Sequence, residues 1–456
     1  MLNLWQQFLI LNKIIEAMFK LKNWSIFSGA LLVLVVLGWN GQAIAKENFE
    51  VWLVDQSNSP GVSYGGKIYI YDGSDLMGKN LSSVKPTSVI DLAGKTAQIC
   101  SSNTGANPVR PHMLLFNSSN SHAIVSFVAS GHVVIYNAKK REPIACIRTS
   151  KGAGGVQQAH AAFPSPDNSY ILVANQNGKL LERIDTDYQT NTYTLNPNAT
   201  IDLANCTTPN GVACESAGVR PDNAPICPIL DLSSRLGFVT LRGGGMFVVD
   251  PKSSPMKILA EYDMKTVHGN GCGGVEARSN MYMNSGGGTA SNLSEFDVYK
   301  FPLFGYSPLN PPNAPAPKVI FSDDTTPDRD SHGMVVTKNQ RFVWVGDRAA
   351  NKIEVISVNS NTRINTIDLV GAYSNDPTPD LMDIAPSGNL VFLSLRGPNP
   401  LSGDPHVSTG STPGLGIVQV TEGGKSGMVR RIVPISNIDS NNVERADAHG
   451  IRVRMK

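Results

Sequence analysis

HAAFPSPDNSYILVANQNGKLLERID (160–185) and HGMVVTKNQRFVWVGDRAANKIEVISV (332–358) carry the same pattern. Each opens on a histidine and a short apolar run, passes a polar turn, resumes as a second apolar run, and turns into an alternating third. A fourth run closes each unit, ATIDL at 199–203 and NTIDL at 365–369. Short apolar or alternating runs bounded by Asn, Asp, Gly and Pro read as strands joined by tight turns, and four consecutive antiparallel strands make one propeller blade.

The register extends in both directions. HMLLFNSSNSHAIVSF begins at His112, CPILDLSSRLGFVTL at Cys227, a degenerate CGGVEARSNMYMN at Cys272, and DLMDIAPSGNLVFLSL at Asp380. HGIRVRMK from His449 is a first strand with no second, while FEVWLV (49–54), KIYIYD (67–72) and TSVIDL (87–92) are a second, third and fourth strand with no first. Joining the two ends completes a blade and hides both free sheet edges, which would otherwise template aggregation. The expectation is an all-β, seven-bladed β-propeller of four-stranded antiparallel blades over residues 46–456, closed by pairing of the N- and C-terminal strands.

The stretch SPDNSYILVAN (165–175) and its counterpart at 337–347 resemble the YVTN-type repeats of bacterial exported propellers. The wider group includes lactonase-like propellers, quinoprotein dehydrogenases and the catalytic propeller of nitrous oxide reductase. The resemblance implies fold far more than activity, because function lives in sites grafted on such scaffolds. Likeness to the reductase would imply copper held by axial histidines. Only four histidines align here, and the chain ends inside the closing blade without a second copper domain, so reductase activity is not expected.

Composition agrees with many short strands: 42 Gly, 29 Pro and only 17% charged residues. Lys20 and Lys22, the apolar run from Ile26 to Leu37 and Ala43-Ile44-Ala45 read as a signal peptide cleaved after Ala45, with residues 1–17 an upstream extension and Met18 a start; the rival reading is an uncleaved anchor. Cleavage implies a periplasmic or secreted protein with no stable membrane span. It also removes three lysines and one glutamate, leaving basic and acidic residues balanced, which argues against a nucleic-acid partner. Six cysteines in an exported chain are disulfide candidates, with Cys206 and Cys214 the favoured pair.

Three linear motifs fail in context. Gly61-Val62-Ser63-Tyr64-Gly65 precedes a strand, not the helix a nucleophile elbow requires. Gly269 to Gly274 matches a dinucleotide fingerprint with no helix behind it. Gly424-Lys425-Ser426 lacks the earlier glycine of a phosphate loop.

Aligning the blades exposes a constellation that linear motifs miss. His112, His160, Cys227, Cys272, His332, Asp380 and His449 occupy one position, just before the innermost strand of each blade. In a closed ring they face the axis at one mouth of the channel, and imidazole, carboxylate and thiolate are the protein ligands of copper and zinc. His112, His160, His332 and His449 are thus candidate metal ligands. At the ends of the second strands sit Asn175, Arg242, Asp347, Arg348 and Arg396, which with Asp380 form a candidate ligand-binding rim. Asp330 and Asp447, in matching Asp-x-His-Gly segments, are candidates to accept the second imidazole N–H. Cys227 and Cys272 could instead be a disulfide, His122, His132 and His406 are read as ordinary residues, and Asp323, Asp324, Asp328 and Asp330 as a solvated acidic loop or a Ca²⁺ loop. Two functions remain open: a propeller binding a small molecule or protein on its channel face, or a metal-dependent hydrolase or oxidoreductase using the histidine ring.

Overall fold

The computed structural model describes residues 48–287, 295–307, 309, 314–324, 329–401 and 408–456. The signal-peptide reading, Asp328 and His406 lie outside them. Strands β1 to β28 form seven four-stranded antiparallel sheets. Six blades are consecutive in sequence: β4 (Pro111–Phe116) to β7 (Glu142–Arg148), β8 (Ala159–Pro164) to β11 (Thr192–Asp202), and β12 (Pro225–Leu230) to β15 (Lys257–Tyr262) come first. β16 (Gly274–Ala277) to β19 (Lys318–Asp323), β20 (Ser331–Val336) to β23 (Thr362–Asp368), and β24 (Pro379–Ile384) to β27 (Ser426–Pro434) follow. The seventh blade is composite, in the order β28 (Ala448–Met455), β1 (Phe49–Asp55), β2 (Lys67–Asp72), β3 (Ser88–Asp91).

Closure therefore falls where the sequence pattern put it. β28 pairs antiparallel with β1 from Phe49↔Met455 to Asp55↔Ala448. The seam is reinforced by buried Glu50, which accepts from Trp52 Nε1 at 2.9 Å, Arg454 Nη1 at 3.0 Å and Arg141 Nη2 at 2.6 Å. Arg141 comes from the next blade, so one carboxylate ties the seam to its neighbour.

The core is a set of wedges between adjacent blades. Trp52, Val54, Ile68 and Ile70 of the closing blade pack on Leu114, Ala123, Val125 and Phe127 of the next. Second strands, covered by blades on both faces, are buried throughout, as in β5 (His122–Phe127) and β21 (Phe342–Asp347). The rim strand β23 is largely exposed. This gradient explains why second strands read as continuous apolar runs and fourth strands as mixed ones.

Two short helices break the all-β pattern, α1 (Gly73–Leu76) and α2 (Lys95–Thr104). With only Thr96, Ala97 and Cys100 buried, α2 leaves no readable helical stripe in the sequence. It is pinned to β7 by a Cys100–Cys146 disulfide; Cys206–Cys214 and Cys227–Cys272 are also bonded, and no described cysteine is free. Among the described residues no helix is long and apolar enough to cross a membrane.

A chain ending at Asp447 would leave the apolar β1 with an open edge. It is expected to elute as aggregate in size-exclusion chromatography and to lose the cooperative thermal transition of the full chain.

Candidate metal centre

The aligned residues lie on the innermost strands themselves. His112, His160, His332, Asp380 and His449 are each the second residue of β4, β8, β20, β24 and β28; Cys227 is the third of β12, and Cys272 lies two residues ahead of β16. Six of the seven blades break register around this residue, between Pro111 and Leu114, Ala159 and Ala161, Pro225 and Pro228, Ser331 and Met334, Pro379 and Met382, and opposite Leu53 and Asp55 for His449. A bulge inserts an extra residue and re-aims a side chain; here it coincides with the residue that meets its neighbours at the axis.

Those side chains form an unbroken chain around the axis. Cys227 and Cys272 are bonded to each other, and their sulfurs and a His160 nitrogen lie within 4.8 Å of one another. His160 Nε2 is 3.2 Å from His112 Nε2. The His112 ring lies on His449 with centroids 3.7 Å apart, and His449 meets His332 at 5.6 Å. Asp380 completes the far side, 3.2 Å from His332 Nε2 and 3.7 Å from His449 Nε2. Such crowding also accounts for the glycine in each Asp-x-His-Gly segment. A Cβ on Gly333 would stand 2.4 Å from the Asp380 carbonyl oxygen, and one on Gly450 would stand 2.6 Å from that of His112.

Hydrogen-bond partners set the tautomers. Gln56 Nε2 donates to Asp447 Oδ2 at 2.7 Å, so its Oε1 is the atom facing His112 Nδ1 at 2.8 Å, and that nitrogen carries the hydrogen. His160 Nδ1 lies 2.9 Å from the Ile226 carbonyl oxygen, which only accepts, so this Nδ1 is also protonated. In the neutral rings both Nε2 atoms are therefore lone-pair nitrogens, pointed at each other. Asp380 draws the Nε2–H of His332 and His449, which leaves their Nδ1 atoms as buried acceptors with no hydrogen-bond partner among the described residues. An orphaned buried acceptor of this kind costs about 1–3 kcal/mol.

A layer of ion pairs backs the ring. Arg348 forks onto Asp330 at 2.7 and 2.9 Å and reaches Asp380; Arg396 forks onto Asp447 at 2.6 and 2.9 Å and reaches Asp380 at 3.1 Å. Asp330 and Asp447 therefore hold arginines directly; the imidazole N–H that the sequence reading assigned them is met on His112 by Gln56, with Asp447 one step behind. Three carboxylates face two guanidiniums, one negative charge in excess. Burial, aided by the neighbouring imidazoles and guanidiniums, pushes His112, His332 and His449 well below the ordinary histidine value. Arg396 is raised: burial opposes its charge, and Asp447 and Asp380 more than offset that.

The other rim candidates have separate commitments. Asn175 ends β9 (Tyr170–Asn175) and bonds the Gln158 amide, the Ser150 carbonyl and Glu182. Asp347 pairs with Arg329 and accepts the amides of Asp330 and Ala350. Arg242 is part-exposed and paired with Asp222 at 2.6 Å. His122 and His132 are buried on Ser121 and Asn191, and on Ser130 and Thr104. Asp323 and Asp330 are drawn to Arg329 and Arg348. The GxSxG segment is the β1–β2 loop, and the GxGxxG segment leads into β16.

Two residues escaped the sequence reading. Gln56 had a signal: it follows β1 as Arg348 follows β21 and Arg396 follows β25 (Leu390–Leu395). His268 had none; its Nδ1 sits against Glu295 and, at 2.6 Å, Asp297, and these carboxylates raise it to about 10.

Comparisons with known proteins agree on architecture. No protein-family model matches the chain, the YVTN-type repeats included, and no curated protein matches it in sequence. Among solved structures, a periplasmic gluconolactonase from Pseudomonas aeruginosa matches with a TM-score of 0.56 at 14% identity, over 89% of this chain and 99% of that one. A hypothetical selenium-binding protein from Sulfolobus tokodaii gives 0.58 at 11%, over 89% and 93%. A Lactobacillus plantarum protein gives 0.57 at 11%, over 89% and 99%. At such identities the likeness is one of fold. The chain is a seven-bladed β-propeller with three disulfides and an axial cluster of four histidines.

Histidines whose folded pKa is depressed bind protons more readily when unfolded, so metal-free protein gains stability with rising pH and loses it below about 6.5. Each such group contributes a slope of up to about 1.4 kcal/mol per pH unit. Denaturant unfolding at about pH 7.5 and about pH 5.5 should show this loss, and His332→Gln should flatten it.

Proposed function

We propose that this protein is a metal-binding propeller that holds copper or zinc on His112 and His160 at the channel axis, with His449 alongside, and uses that ion on small molecules entering from the His160 side. The facing pair of Nε2 atoms carries the reading. Two lone pairs at 3.2 Å repel unless a cation lies between or beside them. Nitrogens held at about 2.0–2.1 Å by one tetrahedral ion lie about 3.3 Å apart, so the pair already has the bite of two ligands. A proton would relieve the contact too, but burial opposes charge on His112.

The surroundings favour a metal cation. The Arg–Asp layer leaves the axis one negative charge in excess, and imidazole donors suit copper and zinc. Gln56 and the Ile226 carbonyl fix the outer nitrogens of both rings, the usual support of a ligating histidine. The same charge balance disfavours the anion-binding reading of Arg348 and Arg396, whose guanidiniums are buried and spent on carboxylates. Three disulfides support the export reading.

Two imidazoles leave an ion with free positions, the state of a catalytic centre and not of a closed structural one. A metal there polarises a carbonyl or lowers the pKa of bound water. Gluconolactone, the substrate named for the Pseudomonas aeruginosa neighbour, is therefore the first carbonyl compound to assay.

Elemental analysis tests the reading. Protein purified without an affinity tag from an exporting host is expected to retain near-stoichiometric copper or zinc, and His112→Ala/His160→Ala to lose it with its circular dichroism unchanged. Gln56→Leu should weaken metal affinity by about 10–100-fold. Wild-type protein that takes up neither metal on reconstitution would overturn the proposal.

A further inference from the structure

We infer that the Cys227–Cys272 disulfide is a redox switch on the metal centre: its reduction turns the open two-histidine site into a closed four-donor site of two imidazoles and two thiolates. This rests on the metal reading of His112 and His160 and adds to it a regulated state with different ligands.

Placement is the argument. Cys227 and Cys272 belong to adjacent blades and join β12 to the segment entering β16. They are also the two ring positions next to His160, where the other blades carry histidine or aspartate. Both sulfurs and a His160 nitrogen already lie within 4.8 Å of one another, and His112 Nε2 is 3.2 Å further along the ring. Four donors thus stand side by side in the order Cys272, Cys227, His160, His112. Among the described residues, neither of the other two disulfides joins a histidine in such a group of candidate ligands. Cys100–Cys146 ties α2 to β7, and Cys206–Cys214 closes a loop of eight residues.

Chemistry separates the two states. A disulfide sulfur is a poor ligand, whereas a thiolate binds copper and zinc strongly. In the oxidised state the ion has two imidazoles and free positions; in the reduced state the thiolates fill those positions, which excludes substrate. The electron balance is a two-electron exchange with a dithiol. The dithiol gives two electrons and two protons and leaves as its own disulfide, while Cys227 and Cys272 become thiols. Metal binding then displaces the two thiol protons to solvent. Metal capture makes reduction of this pair more favourable, since the thiolates are stabilised only when the ion is present. Access runs past His160, the one part-exposed histidine of the four, and Cys272 retains 5% exposure.

The test uses full-length protein loaded with Co²⁺, as isolated and after treatment with a dithiol. Alkylation and peptide mapping identify which cysteines have been reduced, and circular dichroism checks the fold. The oxidised protein should bind Co²⁺ without thiolate-to-metal absorption in the near ultraviolet. The reduced protein should show that band, bind at least about tenfold more tightly, and lose the band in Cys227→Ser and, independently, in His160→Ala. Should either variant misfold, the oxidised and reduced wild-type samples decide alone. Co²⁺ bound in both states with no thiolate band would overturn the switch and leave the two-histidine site standing. Co²⁺ bound only after reduction, with the band, would overturn the two-histidine site and keep the four-donor one. A Cys227–Cys272 bond that resists the dithiol in folded protein would also overturn the switch.

Discussion

Everything at the axis depends on the pairing of β28 with β1. A propeller is a ring of wedges, and each blade hides its apolar faces only if a neighbour stands on both sides. The antiparallel seam from Phe49↔Met455 to Asp55↔Ala448 supplies the last neighbour. It also delivers His449 between His332 and His112, so closure of the fold and completion of the histidine ring are one event. Glu50, buried and shared by Trp52, Arg141 and Arg454, adds a polar lock to an otherwise apolar seam. Removing one partner of such a group is costly because the others are left in a dry environment.

Seven inner strands converging on one line create a crowded environment, and the ring is built to tolerate it. Glycines at 333 and 450 admit the neighbouring backbone. Ser126 hydroxyl donates to the carbonyl of His160 in the next blade, and Ser394 does the same for His449, so successive inner strands are tied through the residues that carry the site. The bulges matter for the same reason. A regular pleat alternates side chains between the two faces of a blade, and a bulge is what frees one of them to point along neither face.

Electrostatics then decide which chemistry the ring can support. Two buried guanidiniums among three carboxylates form a neutralised floor with a slight acidic surplus, and the imidazoles above it are held uncharged by burial. An array of neutral imidazole lone pairs over an acidic floor is poor at retaining anions and good at retaining a soft or borderline cation. Arginines that look available as substrate clamps in the sequence are, in three dimensions, the scaffold that orients Asp380 and, through Asp447 and Gln56, the His112 ring.

The sequence alone determined the blade count, the four-strand unit and the closure, because strand patterning and turn chemistry are local and repeat seven times. It also determined the register of the ring, since equivalent positions in repeats must be equivalent around a symmetry axis. That is why His112, His160, His332, Asp380 and His449 could be named from the linear chain, and why Gln56, in the register of Arg348 and Arg396, was within reach. Helix α2 was not legible, having too few buried positions to leave a period, nor was the His268 cluster, whose carboxylates come from another strand. Only the tertiary structure decided the partners: which cysteines bond, that Asp330 and Asp447 hold arginines and not histidines, and which nitrogen of each imidazole is left bare. Those outcomes depend on distances of a few ångströms between blades, and repeat patterning fixes the order of residues around an axis without fixing what each one touches.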